Sequence, residues 1–263
     1  TLTSVSAYLL LSVDLVMIGY MIGLESTAFY AVAIYIVALM NIPRNAISSI
    51  ALPVVSEAWK RDDKETVQTV YAKTSVNQML LGTLIFAGLW ANEANIFEIL
   101  PEEYSGGKWV LFFVGLGKMA DIGFGLNGGV IITSKWYKFD TYANLVLLVI
   151  TVGLNLILIP MYGIVGAAIA TAISLGSFNV AKYLFLKVKF GFEPFGWKSG
   201  AILGLGLACY GISTILPEQG NYIIDIVLRS SIILILFVPI ALALKLSEDV
   251  NGFVLQIWNK IKS

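Results

Sequence analysis

Asp14, Arg44, Lys118 and Asp121 each interrupt a long apolar run. On insertion scales an ionisable residue at the centre of a membrane-spanning helix costs about 2.5–3.5 kcal/mol, so the set costs about 10–14 kcal/mol. Such groups must pair with one another, face water, or both. Arginine and lysine here could hold phosphate or carboxylate oxygens through charge-assisted hydrogen bonds. The aspartates could balance those cations or serve in ion coupling, carrying a proton or a sodium ion, as carboxylates inside membranes do. The plain structural alternative is a set of static ion pairs. Lys118 and Asp121 stand three apart on one helix face, and Asp14 can neutralise Arg44. Asn41, Asn45 and Asn127 fall at similar depth and add hydrogen-bonding groups to a candidate substrate-binding set. Pro43, next to Arg44, removes a backbone hydrogen bond, which predicts a kink that is either a hinge or a static bend.

The elements that must position these residues are eight apolar stretches, near 2–23, 28–54, 75–97, 109–132, 140–160, 162–185, 198–216 and 222–245. A bilayer core of about 30 Å needs roughly 20 helical residues, so the pattern predicts an all-α membrane protein with about eight transmembrane helices. The 263 residues are 58% hydrophobic and 13% charged, with a mean hydropathy of +0.83, the composition of the membrane class. By rise per residue, Asp14 lies roughly 13 Å from the outer end of its helix. Arg44 lies roughly 15 Å, and Lys118 and Asp121 about 21 and 16 Å, from the inner ends of theirs. All of them fit one slab near the midplane.

Composition also excludes. The net charge is zero, so no basic surface for nucleic acid is expected. The chain has no histidine and only Cys209, which argues against histidine-ligated metal, haem and an intrachain disulfide. No metal or other cofactor is expected. The connections alternate in charge. All basic residues except Arg44, Lys108, Lys118 and Arg229 fall at 56–74, near 134–139, at 182–198 or in the tail. The positive-inside rule makes these segments, and the C-terminus, cytoplasmic. Residue 1 is Thr and the apolar run starts at once, so the chain is expected to be a piece of a longer protein.

Several further patterns carry expectations. Residues 56–73 read as a helical linker. Val250, Phe253, Val254, Ile257, Trp258 and Ile261 recur at helical spacing and predict an amphipathic tail helix in the interface. Arg229, one turn after Asp225, reads as a snorkelling surface pair. Gly196, Gly200 and Gly204, and likewise Gly166, Ala170 and Ser174, predict close helix contacts. Residues 123–128 match a dinucleotide-binding glycine pattern but lie in a span and follow no strand, so they predict close packing or bending instead.

A family resemblance rests on several segments. The first span reads Ser12-Val13-Asp14-Leu15-Val16-Met17-Ile18-Gly19, followed by Gly23 and Phe29-Tyr30-Ala31. The second ends Leu52-Pro53-Val54-Val55-Ser56. The stretch from Asn155 through Pro160, Tyr162, Gly163 and Gly166 to Ser174 is the most specific. Together they resemble the polysaccharide-exporter branch of the superfamily that also holds multidrug and toxic-compound extruders and the lipid II flippase. The likeness is to bacterial oligosaccharide flippases for O-antigen or capsule repeat units, and it covers nearly the whole chain as the C-terminal half of such a protein. It implies a six-helix lobe at 1–188, an additional helix pair at 189–246 and a cytoplasmic tail at 247–263, with the N-terminal lobe missing from this sequence.

By that resemblance the protein is a transporter, not an enzyme. It would move isoprenoid-diphosphate-linked oligosaccharide across the bacterial cytoplasmic (inner) membrane for capsule or lipopolysaccharide assembly, with membrane lipids and the missing lobe as its other partners. The alternatives are a cation-coupled multidrug extruder of the same superfamily and, from another class, an integral-membrane polysaccharide polymerase or acyltransferase. An extruder of cationic drugs calls for an acid-dominated cavity, whereas these acids and bases balance. The enzymes call for larger loops than this chain has.

Overall fold

The computed structural model describes residues 13–262, all helices and connections with no strand among them. Residues 2–12 of the first predicted span, and the side chains of Ile257, Trp258 and Ile261 on the predicted face of the tail, lie outside the described set. Helix α1 covers 13–21. It is followed by α2 (Leu24–Val37), a 3-10 turn at Ala38–Met40, and α3 (Asn41–Lys60). Pro43 enters three residues after that turn. Its ring cannot donate to the carbonyl of Leu39, and the tightened turn sits where the missing bond would be.

Next come α4 (Lys64–Ala91) and α5 (Glu93–Ile99), bent by 62° at Asn92. Asp63 caps α4 by accepting from the Thr66 backbone at 3.0 Å, which satisfies one of the free donors of the first turn. Helices α6 (Lys108–Gly123) and α7 (Asn127–Ile132) are one predicted span broken in two. At the break Gly125 has φ +62°, and a Cβ there would lie 2.7 Å from the Ser75 backbone. The Ser75 hydroxyl donates to the freed carbonyl of Gly123 at 2.6 Å. The glycines of 123–128 thus do what the sequence predicted, bending and close packing.

Helix α8 runs from Tyr137 to Phe190 but is not straight. At Gly163 the backbone takes φ 60°, ψ −139°, a conformation essentially restricted to glycine. Lys182 Nζ lies 2.6 Å from Asp140, and the rings of Phe139 and Phe185 stack with centroids 4.0 Å apart. On one straight helix positions 140 and 182 would be about 60 Å apart. The element is a hairpin of two antiparallel arms, as the uncharged break at 161–165 predicted. A Cβ on Gly166 would meet the Leu158 carbonyl oxygen at 2.0 Å, so the arms touch backbone to backbone.

Helices α9 (Trp197–Ile215) and α10 (Tyr222–Ala243) pack on α4 through Met79, Leu80, Ile202, Ile233 and Phe237. Close approach of α9 is made by Gly206, whose Cβ would lie 2.2 Å from Thr83. At Gly196, Gly200 and Gly204 nothing lies within 4 Å, so the four-residue glycine spacing does not mark the contact. The tail forms α11 (Glu248–Lys262). Leu24–Lys60, Tyr137–Phe190, α9 and α10 are long and apolar enough to cross a bilayer, and α4 with α5 is a fifth if counted as one bent span. Val149, Leu207, Ile215 and Ile235 project outward, largely exposed, as lipid solvation allows.

The base-rich connections gather at one end of the bundle. Gln68 exchanges hydrogen bonds with the Glu193 backbone at 2.7 and 3.1 Å. Trp59 packs on Phe190 and Phe192. Asn77 bonds both Ser247 and Asp249. At the other end Lys108 pairs with Glu93, and Asn95 donates to Asp225 at 2.6 Å. Arg229 is there too, and it is buried rather than snorkelling. It bonds Asp225 at 2.6 Å, the Ser213 carbonyl at 2.8 Å and the Leu216 carbonyl at 3.4 Å. The last-turn carbonyls of α9 draw the guanidinium inward, since they lack partners within their own helix.

Gly166→Leu should destroy the hairpin, at more than about 3 kcal/mol given that backbone rather than a mobile side chain must yield. Gly204→Leu, on an exposed turn, should be nearly silent. Thermal unfolding of the detergent-solubilised protein compares the two. Equal melting temperatures would contradict the backbone contact.

Candidate functional site

A cavity of about 320 Å³ opens between α1, α2, α3, α6 and both arms of α8. Asp14, Asn41, Arg44, Lys118 and Asp121 line it together. Asn45 does not: it is exposed on α3. At about 100° per residue, Arg44 lies some 60° to one side of Asn41 and Asn45 some 40° to the other, and the cavity takes the first side. Asn127 stands behind the wall. It donates to Asn179 at 2.9 Å, and Asn179 donates to Asp121 at 3.3 Å. Pro43 does not line the cavity.

The expected Lys118–Asp121 pair forms, but the expected Asp14–Arg44 pair does not. Asp121 serves both bases, with Lys118 Nζ at 3.0 Å and Arg44 Nη2 at 3.4 Å. The ionised trio carries one net positive charge. Arg44 commits one of its five donors to Asp121, and its side chain remains 33% exposed, enough to reach a ligand in the cavity. Asp14 does not neutralise Arg44. Its carboxylate accepts from Tyr30 at 2.9 Å, from Asn155 at 2.6 Å and from Thr171. These are neutral donors, and among the described residues no base pairs with Asp14. Asp14 as a whole is 5% exposed.

Local folding explains each placement. Asn155 and Thr171 sit on opposite arms of α8, so they reach one carboxylate only because Gly163 reverses the chain. Tyr30 projects from α2 and is fully buried. These donors were missed because a lone Asn, Thr or Tyr barely perturbs hydropathy. Their position deep in apolar runs was the available signal.

A second buried ion pair was also missed. Lys182 meets Asp140 at 2.6 Å, with the two side chains 7% and 8% exposed. Asn144 donates to Asp140 at 3.0 Å, and the Lys182 ammonium lies 3.9 Å from the Phe178 ring centroid. Asn144 and Phe178 both line the cavity, so this pair braces its wall. Lys182 stood at the end of a predicted span and read as part of a cytoplasmic linker. The hairpin register instead turns it inward to Asp140.

No family model matches the chain. Two curated proteins resemble it at modest identity. It is 25% identical over 218 residues to the probable low-salt glycan biosynthesis flippase Agl15 of Haloferax volcanii, covering 81% of this chain and 46% of that protein. It is 22% identical over 166 residues to the capsular polysaccharide biosynthesis protein CapF of Staphylococcus aureus, covering 63% of this chain and 42% of that one. The chain thus spans under half the length of either relative. Together with the apolar helices, these likenesses support a multi-pass membrane protein of the polysaccharide-biosynthesis and flippase type.

Lys182→Met alone should strand a buried carboxylate and cost about 3–5 kcal/mol, whereas Lys182→Met with Asp140→Leu should recover most of that loss. A thermal or denaturant double-mutant cycle measures both. Strict additivity of the two substitutions would show that the pair does not interact.

Proposed function

We propose that the chain is the C-terminal half of a two-lobe flippase that moves an isoprenoid-diphosphate-linked oligosaccharide across the cytoplasmic membrane. Residues 1–188 form its second six-helix lobe, 189–246 an added helix pair and 247–263 a cytoplasmic tail. On this reading the chain crosses the membrane eight times with its base-rich end inside. The observation that carries the substrate class is Asp121 shared between Arg44 and Lys118. The trio carries one net positive charge that no carboxylate pairs with, Asp14 being held by neutral donors elsewhere in the cavity, and this suits a diphosphate. Guanidinium and ammonium donors bind phosphoryl oxygens strongly where water is scarce. The names of both relatives point the same way, towards glycan biosynthesis and, for the archaeal one, a flippase.

Asp14 takes a separate role in this scheme. Held by three neutral donors and facing the same cavity, it is the carboxylate free to accept a proton or a small cation, whereas Asp121 is committed to two bases. Asp14 is therefore assigned to energy coupling and Arg44 and Lys118 to the substrate. Pro43 and the 3-10 turn before it are assigned as the point about which α3 pivots, although α2 and α3 run on as one continuous helix through it.

The test is transfer of a lipid-linked oligosaccharide by the full-length protein in proteoliposomes, read by an impermeant glycan probe. Arg44→Ala and Lys118→Ala should each slow transfer about 10- to 100-fold, the equivalent of losing a charged hydrogen bond of about 1.5–3 kcal/mol. Asp14→Asn should abolish the response to an imposed ion gradient while transfer down the lipid gradient persists. Wild-type rates in both base variants would remove the diphosphate assignment. Efflux of cationic dyes that survives those substitutions would favour a drug extruder instead.

A further inference from the structure

We propose that a cleft at the base-rich end, separate from the central cavity, is a binding site for the phosphate of a membrane-lipid headgroup. The cleft measures about 560 Å³ and lies between the α3–α4 turn, the α7–α8 turn and the last turn of α8. None of its lining residues lines the central cavity. The site therefore stands whether or not the transport reading does.

Lys60, Lys64, Lys135 and Lys189 line the cleft, and Asp62 is the acid among its walls. Lys60 and Lys64 are partly occupied, by Glu57 at 3.5 Å and Asp62 at 3.9 Å. Among the described residues no carboxylate comes within ion-pair reach of Lys135 or Lys189. Lys189 is instead placed with its ammonium 4.4 Å from the ring centroid of Trp136. Lys187, two residues earlier, shows what a satisfied lysine at this end looks like, paired with Glu193 at 2.6 Å.

Trp136 supplies an observation of a different kind. Its backbone is fixed by a 3.0 Å hydrogen bond to the Ser134 hydroxyl. Its indole Nε1 is buried and has no acceptor among the described residues. Trp59, which also lines the cleft, donates its own Nε1 to the Val130 carbonyl at 3.0 Å. A buried N–H donor without an acceptor costs free energy, and here it belongs to a side chain lining a cleft with two uncommitted ammonium groups. A turn of the half-buried indole would bring this donor to the cleft, where the two lysines favour an anionic acceptor.

The surroundings identify the class. Trp59, Trp136 and Phe190 form apolar walls at the ends of membrane-spanning helices, where indole rings sit at headgroup level. Lysines at that level attract anionic lipid at about 1 kcal/mol each, and their stems lie along apolar surface. A phosphodiester with its glycerol against the indoles satisfies both the charges and the walls.

The experiment is native mass spectrometry of the full-length protein, released from mixed micelles holding equal phosphatidylglycerol and phosphatidylcholine, with a parallel titration of inorganic pyrophosphate. The wild type should retain phosphatidylglycerol preferentially. Lys135→Gln with Lys189→Gln should cut that retention by about five-fold per lysine. Trp136→Phe, which removes only the N–H, should cut it by a smaller factor, and Lys187→Gln should leave it unchanged. All the altered lysines are exposed, so melting temperatures should match the wild type. Pyrophosphate binding with the same lysine dependence, but no lipid preference, would overturn the lipid source and leave a soluble-phosphate site. Unchanged phosphatidylglycerol retention in the double variant and in Trp136→Phe would overturn the site.

Discussion

The contact between the Gly166 backbone and the Leu158 carbonyl holds the rest of the site in register. It brings the two arms of one 54-residue element together at backbone distance beside their turn. Lipid tails are as apolar as leucine, so helices in a bilayer associate through close packing and hydrogen bonds rather than through exclusion of water. A side chain at position 166 would push the arms apart. Asn155 and Thr171 would then no longer converge on Asp14, and Lys182 would no longer reach Asp140. A steric requirement at a single glycine thus decides whether several buried polar groups are satisfied.

Those groups are satisfied in three distinct ways, and the differences set what charge each can still attract. Asp140 and Lys182 form a closed one-to-one pair deep in the wall. Asp121 is over-subscribed by Lys118 and Arg44 and steadied by Asn179. Asp14 is solvated by hydroxyl and amide groups that carry no charge. Low dielectric magnifies each imbalance. The first arrangement has no spare capacity, the second retains attraction for anions, and the third retains attraction for cations. The cavity therefore presents two poles in one chamber.

The chain's hydropathy made the helices legible, because a run of some 20 apolar residues has few other uses. It also exposed Asp14, Arg44, Lys118 and Asp121, since a charge in such a run is conspicuous. Their partners were not legible. Partner choice depends on rotation about each helix axis, as Asn41 and Asn45 show by facing different ways, and on hairpin register, which sequence spacing does not encode. Residues at span ends were the least readable. Arg229 and Lys182 looked like interfacial cations because a hydropathy window cannot tell a flank from an inward-turned last turn. Small-residue spacing marked the real contact at Gly166 and a spurious one at Gly200, because periodic glycine reports only that approach is sterically allowed.

Helix α10 is fastened to its neighbours at both extremities. At one, Asp225 and Arg229 tie it to α5 and to the end of α9. At the other, Ser247 and Asp249, which follow it, are clasped by Asn77 of α4. A rod pinned at two well-separated points cannot swivel about either. Any rigid-body displacement of α4 would therefore carry α9 and α10 with it as passengers, and the lever presented to the lipid would be correspondingly longer.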